Sequence, residues 1–189
     1  LVHRPGMELE NLIPEYLSHL LFDDIPYLNV AREEHDFFTQ TLRECGAEVI
    51  YLKDLLTEAV EAAGAKEQLV EDYIHVYGLN ARQALREYLT SLSVPDLFDA
   101  MSMGMRKSQL HLKQRVHLAD FTHEDFPFYA EPMPNLYFTR DPFSCIDSGV
   151  LLSRMANEIR QRETLFADYI FRYHPVYKNV PHWHERSGE

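Results

Sequence analysis

The chain has 189 residues, 46% apolar and 25% charged, values ordinary for a globular protein, and that length holds one domain with a proper core or one core plus an insert. A formal charge of -12 leaves no basic surface to neutralise phosphates, which argues against a nucleic-acid or anionic-membrane partner. Two cysteines, Cys45 and Cys145, are too few for a disulfide scaffold and fit reduced cytoplasmic thiols, and no apolar run approaches membrane-spanning length.

In chain order, Leu1 to His3 reads as the end of a strand, broken by the turn signal Arg4-Pro5-Gly6. Pro14 suits the first residue of a short helix with Leu17, Leu20 and Leu21 on one face, stopping near Asp23-Asp24. From Asn29 the spacing predicts a longer amphipathic helix whose apolar face carries Val30, Phe37, Phe38, Thr41, Leu42 and Cys45, with Gly46 as its stop. Ala47 to Leu52 then reads as a buried strand, so strand, helix and strand together suggest an α/β unit.

From residue 54 to about 117 the apolar residues keep a helical period, broken at Gly64, Gly78 and Ser93-Val94-Pro95-Asp96, where Pro95 fits a helix start. This reads as a small helical bundle set into the α/β scaffold. Asp120 to Pro134, rich in aromatics and proline, suits an ordered loop. Leu136 to Phe138, Phe143 to Ile146 and Val150 to Ser153 read as short strands, with Asp147-Ser148-Gly149 as a hairpin turn. Arg160 to Tyr173 is expected to be one helix, closed by His174-Pro175. The organisation is therefore a first α/β module over 1–53, an inserted helical bundle over 54–119 and a second, incomplete α/β module over 120–189. The chain starts on Leu1-Val2 without a Met and stops at Ser187-Gly188-Glu189, which suggests a fragment at both ends.

The densest cluster of unusual residues is Pro132 to Pro142, where Asn135, Arg140 and Asp141 sit among Leu136, Tyr137, Phe138 and Phe143. A carboxylate in an apolar frame needs a partner. Arg140 points to the other face of an extended segment, so Asp141 looks elsewhere, and a planar guanidinium fits it through parallel hydrogen bonds. The plainer reading is an Asp capping the turn before Pro142. Arg160 or Arg162 can hold a carboxylate ligand, or both belong to a solvated helix face. His182-Trp183-His184 lacks a second ligand pair and reads as a strand or loop rather than a metal site. Cys45 and Cys145 read as core packing rather than nucleophiles. Glycine numbers 7 of 189 and never clusters, which excludes a phosphate-binding glycine loop.

The run Pro132-Met133-Pro134-Asn135-Leu136-Tyr137-Phe138-Thr139-Arg140-Asp141-Pro142-Phe143 resembles the signature of the arginine deiminases. Other stretches agree in order: Val2-His3-Arg4-Pro5-Gly6 with Glu8, Leu20-Leu21-Phe22-Asp23-Asp24-Ile25, Glu34-His35-Asp36, Arg160-Gln161-Arg162-Glu163-Thr164 and His174-Pro175. The resemblance implies an α/β fold, part of a five-bladed, pentein-like α/β propeller with an inserted helical bundle. It implies hydrolysis of L-arginine to citrulline and ammonia without cofactor or metal, through a Cys-linked covalent intermediate with a His as general acid and base. It also implies a cytoplasmic protein, homo-oligomeric when complete, with no nucleic-acid or membrane partner.

Carried over by position, Asp141 resembles a guanidinium-binding carboxylate and Arg160 the arginine that holds the substrate α-carboxylate. Asn135, Phe138 and Leu21 match residues lining the substrate pocket, while Arg140 is structural support. The family's nucleophilic Cys, its His and its Glu all come later than Glu189, so no catalytic residue is expected here and the chain alone should be inactive. The alternatives are a non-catalytic, arginine-binding or regulatory paralogue, or another guanidino-modifying enzyme such as an agmatine deiminase.

Overall fold

A computed structural model describes residues 1–77, 82–108 and 127–184. The helices are α1 (Met7–Glu10), α2 (Leu28–Glu44), α3 (Leu52–Ala63), α4 (Lys66–Tyr77), α5 (Arg82–Ser91), α6 (Val94–Met103), α7 (Glu158–Gln161) and α8 (Thr164–Tyr173). The strands are β1 (Met105–Arg106), β2 (Phe128–Ala130), β3 (Phe143–Ile146), β4 (Gly149–Leu152) and β5 (His182–His184). The protein is mixed α/β: β1 and β2 form an antiparallel pair, and a second sheet has the order β3–β4–β5. In that sheet β3 and β4 form a hairpin, while β5 lies parallel to β4 after the crossover through α7 and α8.

Local chemistry explains the helix ends. Gly46 and Gly64 stand in the left-handed region at φ 84° and 62°, closing α2 and α3. Ser93 caps α6 by accepting from the Asp96 amide, with Pro95 in the first turn. The hairpin turns at Asp147-Ser148 with Asp147 at φ 52°. Gly149 follows because a Cβ there would collide with the Trp183 ring and the Pro181 carbonyl.

The main core joins α3 to α6 with β1, β2 and α8. Leu56, Val60, Val70, Tyr73, Leu85, Leu89, Leu97, Met101, Leu165 and Phe166 are almost wholly buried there. Helices α3 and α8 share the most extensive packing, so the helical region and the later α/β region meet along one apolar seam. Polar groups within it are paired: Tyr73 Oη donates to the Met101 carbonyl at 3.3 Å, and Tyr169 Oη to Asp72 Oδ2 at 2.7 Å.

Several expectations need correction. Ala47 to Leu52 is not a buried strand. Its pairing is a single parallel bridge between Val2 and Tyr51, and residues 47–51 are exposed to half-buried. Val2 meets it with two hydrogen bonds, from Val2 N to the Ile50 carbonyl and from Leu52 N to the Val2 carbonyl, too few for a ladder. Leu136 to Phe138 belongs to a 3-10 turn over Pro134–Tyr137, because Pro134 opens a turn in which Leu136 and Phe138 donate back to Met133 and Asn135. The segment expected to be an ordered loop contains β2 in its described part; its residues up to 126, like Gly78, lie outside the described residues.

Pro14 does open a helical segment, but a 3-10 turn of three residues, Pro14–Tyr16. The last helix is broken in two at Arg162 and Glu163, both of which bury their side chains at the junction. The apolar face assigned to α2 is largely outward, with Val30, Phe37 and Phe38 at 45%, 76% and 52% exposure. The inward stripe runs instead through Leu28, Ala31, Arg32, His35, Thr39 and Leu42, so polar residues occupy the core-facing positions. Both cysteines are exposed rather than core residues, Cys45 at the end of α2 and Cys145 on the outer strand β3.

Candidate functional site

Three segments converge on Arg160. The Pro134–Tyr137 turn leads into Phe138-Thr139-Arg140-Asp141, α7 presents Arg160, and the junction with α8 presents Glu163. Asp141 finds its partner away from Arg140: Arg160 Nη1 donates to Asp141 Oδ2 at 2.8 Å. Arg160 Nε donates to Glu163 Oε2 at 3.0 Å, and its guanidinium carbon stands 5.7 Å from the centroid of the Phe138 ring. Its Nη2 is buried and has no hydrogen-bond partner among the described residues. Asp141 is thus an ion-pair partner rather than a cap, and Arg160 is no solvated helix residue.

Asn135 and Leu21 join the same cluster through the backbone. Asn135 is buried, and its Nδ2 donates to the Leu20 carbonyl at 2.9 Å, tying the signature turn to the segment before Leu21. Leu21 ends a helical turn in which Phe22 N donates to Leu17 O at 3.0 Å and Leu21 N to Ser18 O at 3.3 Å. Gly46 and Gly64 close their helices with the same pair of bonds. Leu21 takes the left-handed conformation at φ 62°, with its side chain 48% exposed. A leucine where glycine is favoured costs on the order of 1 kcal/mol. The strained turn leaves the apolar Leu21 side chain at the surface, while the next residue, Phe22, packs edge-on against Tyr137.

The neighbouring charges are fixed. Arg162 is buried and donates to the Pro132 carbonyl at 2.6 Å and to Glu131 at 3.3 Å; Glu131 also meets His19 at 2.9 Å. Burial of Glu163 pushes its carboxyl up to about 7, more than Arg160 and Arg162 pull it down, while Asp141 raises it further. Burial likewise raises the Tyr137 phenol, against a lowering by Arg160.

All five expected pocket residues therefore fall in one neighbourhood: Asp141, Arg160 and Phe138 in direct contact, and Asn135 and Leu21 linked through Leu20. The sequence reading missed Glu163 and Glu131. The legible signal for Glu163 was its spacing of three from Arg160 at a helix start. Arg140 is exposed and lines a separate surface hollow with Leu1, Ser144 and Cys145. His182-Trp183-His184 forms β5, where the His184 ring meets the Leu152 carbonyl at 3.1 Å, and no metal-holding group of three occurs among the described residues. A cavity of about 330 Å³ beside His3 and Glu8, and one of about 430 Å³ between Ile50, Phe143 and Tyr177, include neither Asp141 nor Arg160.

Fold and site together define a mixed α/β protein that keeps a guanidinium-accepting carboxylate and a carboxylate-accepting guanidinium one hydrogen bond apart, against an aromatic face. The sequence model of the arginine deiminase family matches residues 18–189. The arginine deiminase of Clostridium perfringens (strain SM101 / Type A) is 50% identical over 194 residues, covering 99% of this chain and 47% of the relative. That of Borrelia duttonii (strain Ly) is 45% identical over 194 residues, covering 100% and 47%, and that of Bacillus cytotoxicus 46% over 192 residues, covering 99% and 47%. The chain belongs to the arginine deiminase family. It spans about half the length of these curated relatives.

Proposed function

We propose that this chain supplies the substrate-binding half of an arginine deiminase, which hydrolyses L-arginine to L-citrulline and ammonia. The observation that carries the reading is the Arg160–Asp141 contact against Phe138. A guanidinium already sits on the Asp141 carboxylate, so that carboxylate has the geometry to accept the same group from arginine. Arg160 then takes the substrate α-carboxylate. Phe138 and Leu21 flank the aliphatic chain, and buried Asn135 holds the Leu21 segment in place. The ion pair that arginine displaces is open to solvent on its Asp141 side, where the side chain is 43% exposed, so a ligand can reach that carboxylate.

The parallel bridge Val2–Tyr51 and the β4–α8–β5 crossover support two modules of a five-bladed α/β propeller, over 1–53 and 120–189, with the helical insert over 54–119 between them. Among the described residues no helix is long and apolar enough to cross a membrane. In this reading the complete enzyme is a cytoplasmic homo-oligomer. Its nucleophile is neither Cys45 nor Cys145, since neither hydrogen-bonds into the Asp141–Arg160 cluster among the described residues.

The test is citrulline formation from L-arginine. The full-length protein produces it, Asp141→Asn suppresses it, and residues 1–189 alone form none above a blank. Faster turnover of agmatine than of arginine, or citrulline from residues 1–189 alone, would contradict the reading.

A further inference from the structure

We propose that Glu163 is the positioning residue that makes this site select ligands bearing an α-carboxylate, an inference that rests on the arginine reading above. Glu163 is 2% exposed and lies between two guanidinium groups, bonding Arg160 Nε directly. A buried carboxylate in that position has no room to follow its partner. The Nε edge of Arg160 is therefore committed, and the plane of the guanidinium is set.

Only the opposite edge, Nη1 with Nη2, is left to grip a carboxylate through two parallel hydrogen bonds. Nη2 is the buried nitrogen with no partner among the described residues, and Nη1 is the nitrogen resting on Asp141. A ligand carboxylate that takes this edge draws Nη1 away from Asp141 and satisfies Nη2 in the same movement. The freed Asp141 carboxylate then accepts the ligand's own guanidinium. A ligand with both groups exchanges one ion pair for two. A ligand with a guanidinium alone must displace Arg160 from Asp141 and leaves Nη1 and Nη2 with nothing in return.

The experiment compares L-arginine with agmatine, which carries the guanidinium and no carboxylate, on the full-length protein. Glu163→Ala releases the Nε edge and should raise KM for L-arginine about tenfold with kcat within about threefold, while the inhibition constant of agmatine moves less than about twofold. Glu163→Gln keeps an oxygen acceptor for Nε and should restore most of the lost affinity. Equal losses for both ligands, or a Gln variant as impaired as the Ala variant, would overturn the assignment of Glu163 while leaving the arginine site intact. A wild-type protein that neither binds nor consumes L-arginine would overturn the reading of the site, and this inference with it.

Discussion

The seam between α3 and α8 and the cluster around Arg160 adjoin at the start of α8, yet they follow opposite rules. Along the seam apolar side chains are almost wholly buried and the Tyr73 and Tyr169 hydroxyls find acceptors. Around Arg160 a leucine holds a glycine-favouring conformation, a carboxylate is buried at a cost, and Arg160 Nη2 lacks a partner among the described residues. The seam is packed and paired; the cluster carries backbone strain and buried charge. Arg160 and Arg162, two residues apart, display the contrast within one turn. Arg162 is held by the Pro132 carbonyl and Glu131, whereas Arg160 spans two carboxylates, Asp141 and Glu163.

That contrast can be broken most forcefully by exchanging the two arginines for alanine. Arg160→Ala should lower kcat/KM for L-arginine by about 10²–10³-fold in the full-length protein and shift the unfolding temperature by only a few degrees. Arg162→Ala strips the Pro132 carbonyl and half-buried Glu131 of a buried partner and should cost about 3–5 kcal/mol, a fall in unfolding temperature on the order of 10 °C by calorimetry. If both variants lost stability equally and bound arginine equally, the division between seam and site would fail.

Leu56→Ala, at a fully buried position in the seam, should cost about 2–5 kcal/mol in denaturant unfolding and leave KM unchanged in the molecules that remain folded. A changed KM would instead couple the seam to the site.

A smaller effect is the pH dependence of Glu163, which faces Arg160, Arg162 and Asp141. Its carboxyl rises from 4.5 to about 7 on folding, so between those values the unfolded chain releases its proton first. The stabilisation from this group is full below about 4.5, declines as pH rises, and is gone above about 7. Glu163→Gln should flatten that part of the stability–pH profile and melt no lower than wild type at pH 8, as followed by circular dichroism. A wild-type profile that instead gains stability from pH 4.5 to 7 through this residue would place its carboxyl on the ordinary side.

The smallest expected change is at Leu21. Leu21→Gly should stabilise the turn by about 1 kcal/mol while weakening arginine binding a few-fold, whereas Gly46→Ala, in a turn with the same two hydrogen bonds, should destabilise by about 1 kcal/mol with no effect on binding. Opposite signs in stability sharpen the comparison; equal signs would remove strain from the account.

Much of this was legible in the chain because the signals were local. Gly46 ended α2, Ser93 and Pro95 opened α6, and the turn at Asp147-Ser148 joined two strands, each through a single residue's conformational preference. The signature run located Asn135, Phe138 and Asp141, and the need of the Asp141 carboxylate for a planar cation was legible, but that Arg160 fills that place was not. What was missed depends on distant partners. The stretch 47–52 has strand-forming residues, but among the described residues its strand-type pairing is one bridge to Val2. The inward stripe of α2 runs through Arg32, His35 and Thr39 because Arg32 donates to the Pro5 carbonyl, the His35 ring lies against Tyr51 and Thr39 donates back to the Asp36 carbonyl, which a count of apolar residues cannot register. Cys45 and Cys145 are small apolar residues on surfaces, and periodicity alone placed them inside. Glu163 carries no mark in sequence that it is buried; that follows only once α7 and α8 turn it against Arg160 and Arg162.

The most direct measurement is the crystal structure of the full-length protein with L-arginine bound. The account predicts the ligand's carboxylate on the Nη1–Nη2 edge of Arg160, its guanidinium on Asp141, its chain along Phe138 and Leu21, and the Arg160–Asp141 bond broken. Arginine bound elsewhere, or bound with Arg160 still seated on Asp141, would contradict it.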